Sequence, residues 1–130
     1  MDYTVELDKE QFESIENILN EELITLGVHC VLLIDLAGNI LVSINDSKME
    51  HDVYALAALA AGNFGAVNAM AKIIGEKDFS LLFHKGETES IHFSKVVDEL
   101  LLITIFGNDV SLGFLRLKVS QAIRKIKDLI

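Results

Sequence analysis

The residues that could do chemistry in this 130-residue sequence are few and scattered. Its histidines are His29, His51, His84 and His92. His84 and His92 flank one predicted hairpin and could approach each other. Two histidines without a nearby carboxylate or cysteine pattern nevertheless make a poor metal site. The sequence therefore predicts no bound metal.

No pattern typical of a nucleophile or a phosphate-binding loop is present. The single cysteine, Cys30, lies in the apolar run HCVLLI, which is typical of a buried thiol. The serines have no GxSxG elbow, and no glycine-rich loop precedes a Lys-Ser or Lys-Thr pair. Asp35 ends a predicted strand before a turn, where a carboxylate commonly accepts from loop amides. We therefore expect no catalytic residues and no cofactor.

The composition excludes several classes of partner. A net charge of −9 argues against nucleic acid and against anionic membranes, because both attract basic surfaces. The N-terminus, MDYTVELDKE, is acidic where a signal peptide would be basic and then apolar, so we expect a cytosolic protein. One cysteine cannot form an intrachain disulfide. The length predicts one domain spanning 1–130.

Hydrophobic periodicity and turn signals predict the order helix, two strands, helix, three strands, helix. The first helix is capped by Asp8 with Gln11, and Gly27 follows its end. The strands are predicted at 28–36, 40–45, 79–84, 88–95 and 100–106, and the middle helix at 53–74. Asn108 or Asp109 is expected to cap the last helix. This order predicts an α+β fold, a five-stranded antiparallel sheet with helices on both faces.

The stretch VYALAALAAGNFGAVNAMA, from Val53 to Ala71, has no charged residue. It is long enough to suggest a membrane span. Alanine and glycine contribute little to insertion, however, and Asn63 and Asn68 oppose it. No basic cluster lies beside it. The sequence therefore favours a helix of a soluble domain, without membrane insertion.

A helical wheel divides this middle helix into two faces. The predicted sheet-packing face contains Leu56, Leu59, Ala60, Asn63, Val67, Met70 and Ile74. Asn63 lies at its centre, so we expect its buried amide to find hydrogen-bond partners. The opposite face contains Tyr54, Ala58, Ala61, Gly65, Ala69 and Lys72.

This opposite face lacks the long polar side chains of an ordinary solvent-exposed face. Gly65 in a helix interior costs up to roughly 1 kcal/mol relative to alanine, which close approach of another backbone would justify. The face therefore predicts a contact helix. A helix buried on both sides, or one that is merely rich in alanine, remains the alternative.

Several motifs together resemble the Roadblock/dynein light chain family, and in particular its bacterial gliding-motility members, the MglB proteins. They are AGN at 61–63, KIIGE at 72–76, FHxG at 83–86 and SLGxxRL at 111–117. The similarity extends from about Phe12 to Ile126. Longer members of the family continue past the last helix, whereas this sequence stops at Ile130, so no role of such an extension is carried over.

The resemblance implies a homodimer whose sheets join edge to edge, with the two middle helices side by side. We expect the pairing to centre on Leu81, with Phe79 and Phe83 in the same edge strand. The resemblance further implies that the helical face binds a Ras-like small GTPase of the MglA type and stimulates its GTP hydrolysis. By position, the contact residues are Ala57, Ala58, Ala61, Gly62, Gly65, Asn68 and Ala69.

Two functions use the same contact face, and the sequence does not separate them. One is a GTPase-activating protein, and the other is a Roadblock scaffold that recruits a GTPase or motor complex without changing turnover. The only arginines, Arg116 and Arg124, lie in the last helix. In the expected fold that helix packs on the sheet face away from the middle helix. An activator of this kind would therefore act by reshaping the GTPase rather than by inserting an arginine.

Overall fold

The computed structural model describes residues 6–45, 52–77, 79 and 82–130. Helix α1 spans Lys9–Leu19 and continues into a π-helical turn at Asn20–Ile24. The other elements are β1 (Val28–Asp35), β2 (Ile40–Asn45), α2 (Val53–Ile73), β3 (Leu82–Lys85), β4 (Glu89–Val97), β5 (Leu100–Gly107) and α3 (Leu112–Lys127). Within these residues the predicted order of elements is confirmed.

The strands form one antiparallel sheet in the order β2-β1-β5-β4-β3, so β2 and β3 are its edges in the described chain. Every residue of β5 is buried, as its apolar sequence predicts for a central strand. Among the described residues β3 spans Leu82–Lys85, whereas the sequence predicts a strand at 79–84. Phe79 lies outside it, and Ser80 and Leu81 lie outside the described residues.

Alternate side chains of the central strands enter two separate cores, because successive residues of a strand point to opposite faces. One core joins α1 and α3 to one face of the sheet, with Ile15, Leu19, Val31, Leu33, Leu102, Leu115, Val119 and Ile126 among its residues. The other joins α2 to the opposite face, with Cys30, Leu32, Ile34, Ala57, Ala60, Leu101 and Ile103 among its residues. The expectation of helices on both faces is confirmed.

Local side-chain chemistry explains most of the element boundaries. Asp8 and Gln11 form the predicted capping box at the start of α1. Gly27 has a φ of +110°, a conformation that favours glycine, where the chain leaves the π-helical turn. The Asp35 carboxylate accepts from the backbone N–H groups of Ala37 (3.0 Å) and Asn39 (2.8 Å), which closes the β1–β2 turn as predicted.

The predicted cap of α3 is wrong. Ser111 caps this helix by accepting from the backbone N–H of Phe114 at 3.2 Å. The Asn108 side chain instead donates to the Glu87 carbonyl at 2.7 Å and so ties the end of β5 to the β3–β4 turn. Caps are ambiguous in sequence where several capping residue types stand close together, as they do between Asn108 and Ser111.

Candidate partner-binding surface

Helix α2 is positioned by its first turn and by the β1–β2 turn beneath it. The Asp52 carboxylate accepts from the backbone N–H of Ala55 at 3.0 Å and caps the helix. Gly38 has a φ of +90°, and a Cβ added there would meet the Cα of Ala58 at 3.0 Å. Glycine at this position therefore lets the turn lie directly against the helix backbone.

The residues of α2 that are buried against the sheet side are all small. Its buried residues are Ala57, Ala60, Ala61 and Ala71. The first three belong to the same core as Leu101 and Ile103 of the sheet. Val53, Leu56 and Phe64 of α2 are partly buried against the same core, and the alanines between them let the helix backbone come close to the sheet.

The length and composition of α2 also meet the criteria for a membrane span, and it is the one described helix that does so, with a mean hydropathy of 1.3. A helix packed on the sheet of a globular protein can pass the same test. Only 22% of the apolar window of α2 is buried, so packing on the sheet explains the alanines of its inner face but not its apolar outer surface.

The predicted orientation of α2 is therefore wrong by roughly 80° about the helix axis. Ala61, which we expected to point away from the core, is only 8% exposed, and Ala57, a predicted contact residue, is fully buried. Leu59 and Met70, which we expected against the sheet, are 72% and 53% exposed. The wheel assumed that the largest apolar residues face the core, whereas the alanines do so.

The remaining predicted contact residues do lie on accessible parts of α2. Ala58, Gly62, Gly65 and Ala69 are exposed, and Asn68 is half-buried. A Cβ added at Gly62 or Gly65 would meet nothing within 4 Å. We call Ala58, Gly62, Gly65 and Ala69 the small-residue stripe. Its role in binding a partner stays a prediction.

Beside this stripe lies an apolar area that the helical wheel does not predict. Its exposed side chains, here called the apolar flank, are Leu59, Met70, Ile73 and Ile74. Exposed apolar patches on a helix commonly mark an interaction surface. Leu59 also lines a groove of about 370 Å³. Its other lining residues are Leu56, Ile91 of β4, Ile105 of β5 and the acidic residues Asp52 and Glu89. The sequence signal for this flank is the presence of large residues on an alanine-rich helix, which the helical wheel places in the core.

The predicted edge strand has mixed outcomes. β3 lies at the edge of the described sheet, as expected. The Phe83 ring stacks on Phe106 at 6.0 Å between ring centroids and packs against the core that α1 and α3 share. Phe79 is 38% exposed, and Leu81 lies outside the described residues. Pairing through this edge stays a prediction.

The buried amide of Asn63 does not behave as expected. Its Nδ2 atom is buried and has no hydrogen-bond partner among the described residues. The prediction that this buried amide finds hydrogen-bond partners is wrong for that donor. Because Asn63 is one turn from Leu59 on the same side of the helix, the unpaired donor lies beside one end of the apolar flank.

The described residues offer no clustered catalytic or metal-binding groups. No set of three His, Cys, Asp or Glu side chains that could hold a metal lies in the described part of the chain. His84 pairs with Ile91 and His92 with Phe83, so the two histidines point to opposite faces of the sheet. Burial, with a smaller effect of Glu89, raises the pKa of the Cys30 thiol to about 11. His51 lies outside the described residues.

These features define a class of protein. Three helices on an open five-stranded antiparallel sheet, in the described chain, form the α+β fold of Roadblock and profilin-like domains. The sequence model of the Roadblock/LC7 domain matches residues 15–106. The chain belongs to the Roadblock/LC7 family, whose regulatory character fits the lack of clustered catalytic groups in the described residues.

Within that family the chain is MglB-like. It is similar to the gliding protein MglB of Thermus thermophilus, with 27% identity, a TM-score of 0.88, and coverage of 99% of this chain and 97% of that one. It is also similar to Myxococcus xanthus MglB, with 30% identity, a TM-score of 0.85, and coverage of 98% and 97%. A further MglB structure, described as having a tetrameric arrangement, has 26% identity, a TM-score of 0.87, and full coverage of both chains. No curated protein sequence matches the chain significantly.

The revised orientation of α2 predicts different outcomes for two arginine substitutions. Ala61→Arg should lower the free energy of unfolding by about 3 kcal/mol, because it forces a charge into the core. Gly65→Arg should lower it by less than about 0.5 kcal/mol, since the site is open and arginine gains helix propensity. Urea denaturation checks both. A stable Ala61→Arg variant would show that α2 does not lie on the sheet through its alanines.

Proposed function

We propose that this protein is a homodimeric, non-enzymatic regulator that binds a Ras-like small GTPase of the MglA type and stimulates its GTP hydrolysis. It would act in the cytoplasm, in gliding motility or cell polarity. The observation that carries the proposal is the outer surface of α2, which is uncharged from Val53 to Ala71 in a chain of net charge −9. The similarity to MglB over nearly the whole chain supports it.

The two parts of this surface suit two different contacts. The apolar flank adjoins the groove over β4 and β5, on the side of α2 that faces the β3 edge of the sheet. A second copy that paired with β3 would bring its own α2 over this groove. Dimerisation would then bury the apolar flank and leave the small-residue stripes of both copies accessible.

The small-residue stripe suits close contact with a GTPase. Short side chains let another backbone approach, and they cost little side-chain entropy when they are covered. The stripe carries no charge of its own, so shape rather than ion pairing would determine the fit. A long charged side chain on this surface would hinder the approach of a partner. From Val53 onward the first charged residue is Lys72.

Stimulation of the GTPase would not rely on an arginine from this chain. A trans-acting arginine finger is worth roughly 10³–10⁵ in rate, but it must reach the phosphates. The helix that carries Arg116 and Arg124 packs on the sheet face opposite to α2. We therefore infer that the protein reshapes the GTPase so that the GTPase's own groups reach the phosphate.

The dimer prediction is tested by the mass in solution. Light scattering should give about twice the chain mass of 14.4 kDa for the unmodified protein. A Leu59→Glu, Ile73→Glu variant should be monomeric, since two carboxylates would be desolvated in the interface. Leu117→Glu is the control, because Leu117 is 51% exposed but lies on α3. A 14.4 kDa species for the unmodified protein at micromolar concentration would contradict the dimer.

The binding prediction is tested by Gly65→Arg, with Gly113→Arg as a matched control. Both glycines are exposed helix residues whose added Cβ meets nothing within 4 Å, but Gly113 lies on α3. Gly65→Arg should stay folded and lose binding of an MglA-type GTPase by at least about tenfold, through clash and an unpaired charge. Gly113→Arg should bind normally. Equal binding by both variants would show that the GTPase contacts another surface.

GTP turnover separates an activator from a scaffold. An Arg116→Ala, Arg124→Ala double variant should keep its stimulation within about tenfold, because no arginine finger is used. A thousandfold loss with melting temperature unchanged would contradict this mechanism. Binding of the GTPase without any increase in turnover by the unmodified protein would instead support the scaffold function.

A further inference from the structure

A second candidate site lies at the β3 side of the sheet, away from the small-residue stripe. β3 pairs with β4 from Ser90 to Phe93, and a cavity of about 330 Å³ opens beside the following residues of β4. We call it the edge cavity. The lining residues that matter here are Phe64 of α2, Phe93 and Ser94 of β4, and Arg116 and Ser120 of α3, together with the buried His92. Residues from both faces of the sheet therefore meet in one space.

The guanidinium of Arg116 is the cation of this cavity that has no counterion among the described residues. Lys95, which also lines the cavity, is paired with Asp98 at 3.2 Å. No carboxylate of the described residues lies within ion-pair distance of Arg116, although the chain carries 20 acidic residues against 11 basic ones. Such an arginine in so acidic a protein is suited to bind a carboxylate or phosphate from outside, because its planar fork matches their oxygens.

The polar groups next to Arg116 suit the same ligand. His92 is 4% exposed, and its Nδ1 atom lies 3.3 Å from the Ser94 hydroxyl oxygen. Burial and, to a smaller extent, the charge of Arg116 lower the pKa of His92 to about 4, so its imidazole is neutral at physiological pH. A neutral imidazole and the hydroxyls of Ser94 and Ser120 can all donate hydrogen bonds to an oxyanion.

We propose that the edge cavity binds a small molecule with a carboxylate or phosphate group on an apolar body. The anionic group would pair with Arg116 and accept from the hydroxyls, while the apolar body would lie between Phe64 and Phe93. Apolar walls with a few convergent polar groups are the usual composition of a small-molecule site. The proposed site uses neither the small-residue stripe nor the apolar flank, but Phe79 of the proposed dimer edge also lines the cavity, so the site lies beside that edge.

The test is a titration of the full chain with phenyl phosphate, followed by the NMR signals of the His92 ring. We expect a saturable shift of these signals. Arg116→Gln should weaken binding roughly 10- to 100-fold by removing charge-assisted hydrogen bonds. Arg124→Gln, which changes the other arginine of the same helix, should bind like the unmodified protein. Thermal melting establishes that both variants are folded.

Two further probes separate the contributions of charge and apolar contact. Phenol lacks the anion and inorganic phosphate lacks the ring, so each should bind at least about tenfold more weakly than phenyl phosphate. Equal affinity for either probe would overturn the proposal, as would unchanged affinity in Arg116→Gln. If a side chain of a second copy already fills the cavity, no saturable shift of His92 will occur, and that result overturns it as well.

Discussion

The close packing of alanines from α2 against large side chains of the sheet is the contact on which the partner-binding surface depends. Ala57 and Ala60 are at most 3% exposed and meet a sheet face built from leucine, isoleucine and phenylalanine. Val53, Leu56 and Phe64 pack at the border of this interface, and the large side chains of Leu59, Met70, Ile73 and Ile74 lie outside it. The apolar flank is therefore a consequence of how α2 packs on the sheet.

The central strands separate two hydrophobic cores, and only one of them contacts α2. β1 and β5 are buried on both faces, and alternate residues along each strand supply one core or the other. The core shared with α1 and α3 contains large residues from both the sheet and the helices. The core under α2 takes its volume mainly from the sheet. One sheet therefore supports a conventional pair of packed helices on one face and a closely packed helix with an unusual outer surface on the other.

The order of elements could be predicted from the sequence because it depends on local signals. Capping at Asp8, the turn at Asp35 and the uniform apolarity of 100–106 each identify their element without any knowledge of the fold. The orientation of α2 could not be predicted in this way, because it depends on which residues the sheet presents to it. A wheel ranks side chains by size and polarity, but the volume already supplied by Leu101 and Ile103 decides which of them fit. The lack of a hydrogen-bond partner for the Asn63 amide could not be predicted for the same reason, since its surroundings come from distant parts of the chain.

The α3 face and the outer surface of α2 also differ in charge. On the α3 face, Glu22 accepts from Lys125 at 2.6 Å and lies 3.7 Å from Lys118, and the hydrogen bond from Lys125 is the main cause of its lowered pKa. These ion pairs join the π-helical turn that follows α1 to α3. The outer surface of α2 has no charges to be desolvated from Val53 to Ala71 when it is covered. A partner therefore loses little by covering α2, whereas covering the α3 face would require desolvating charges that the fold already uses.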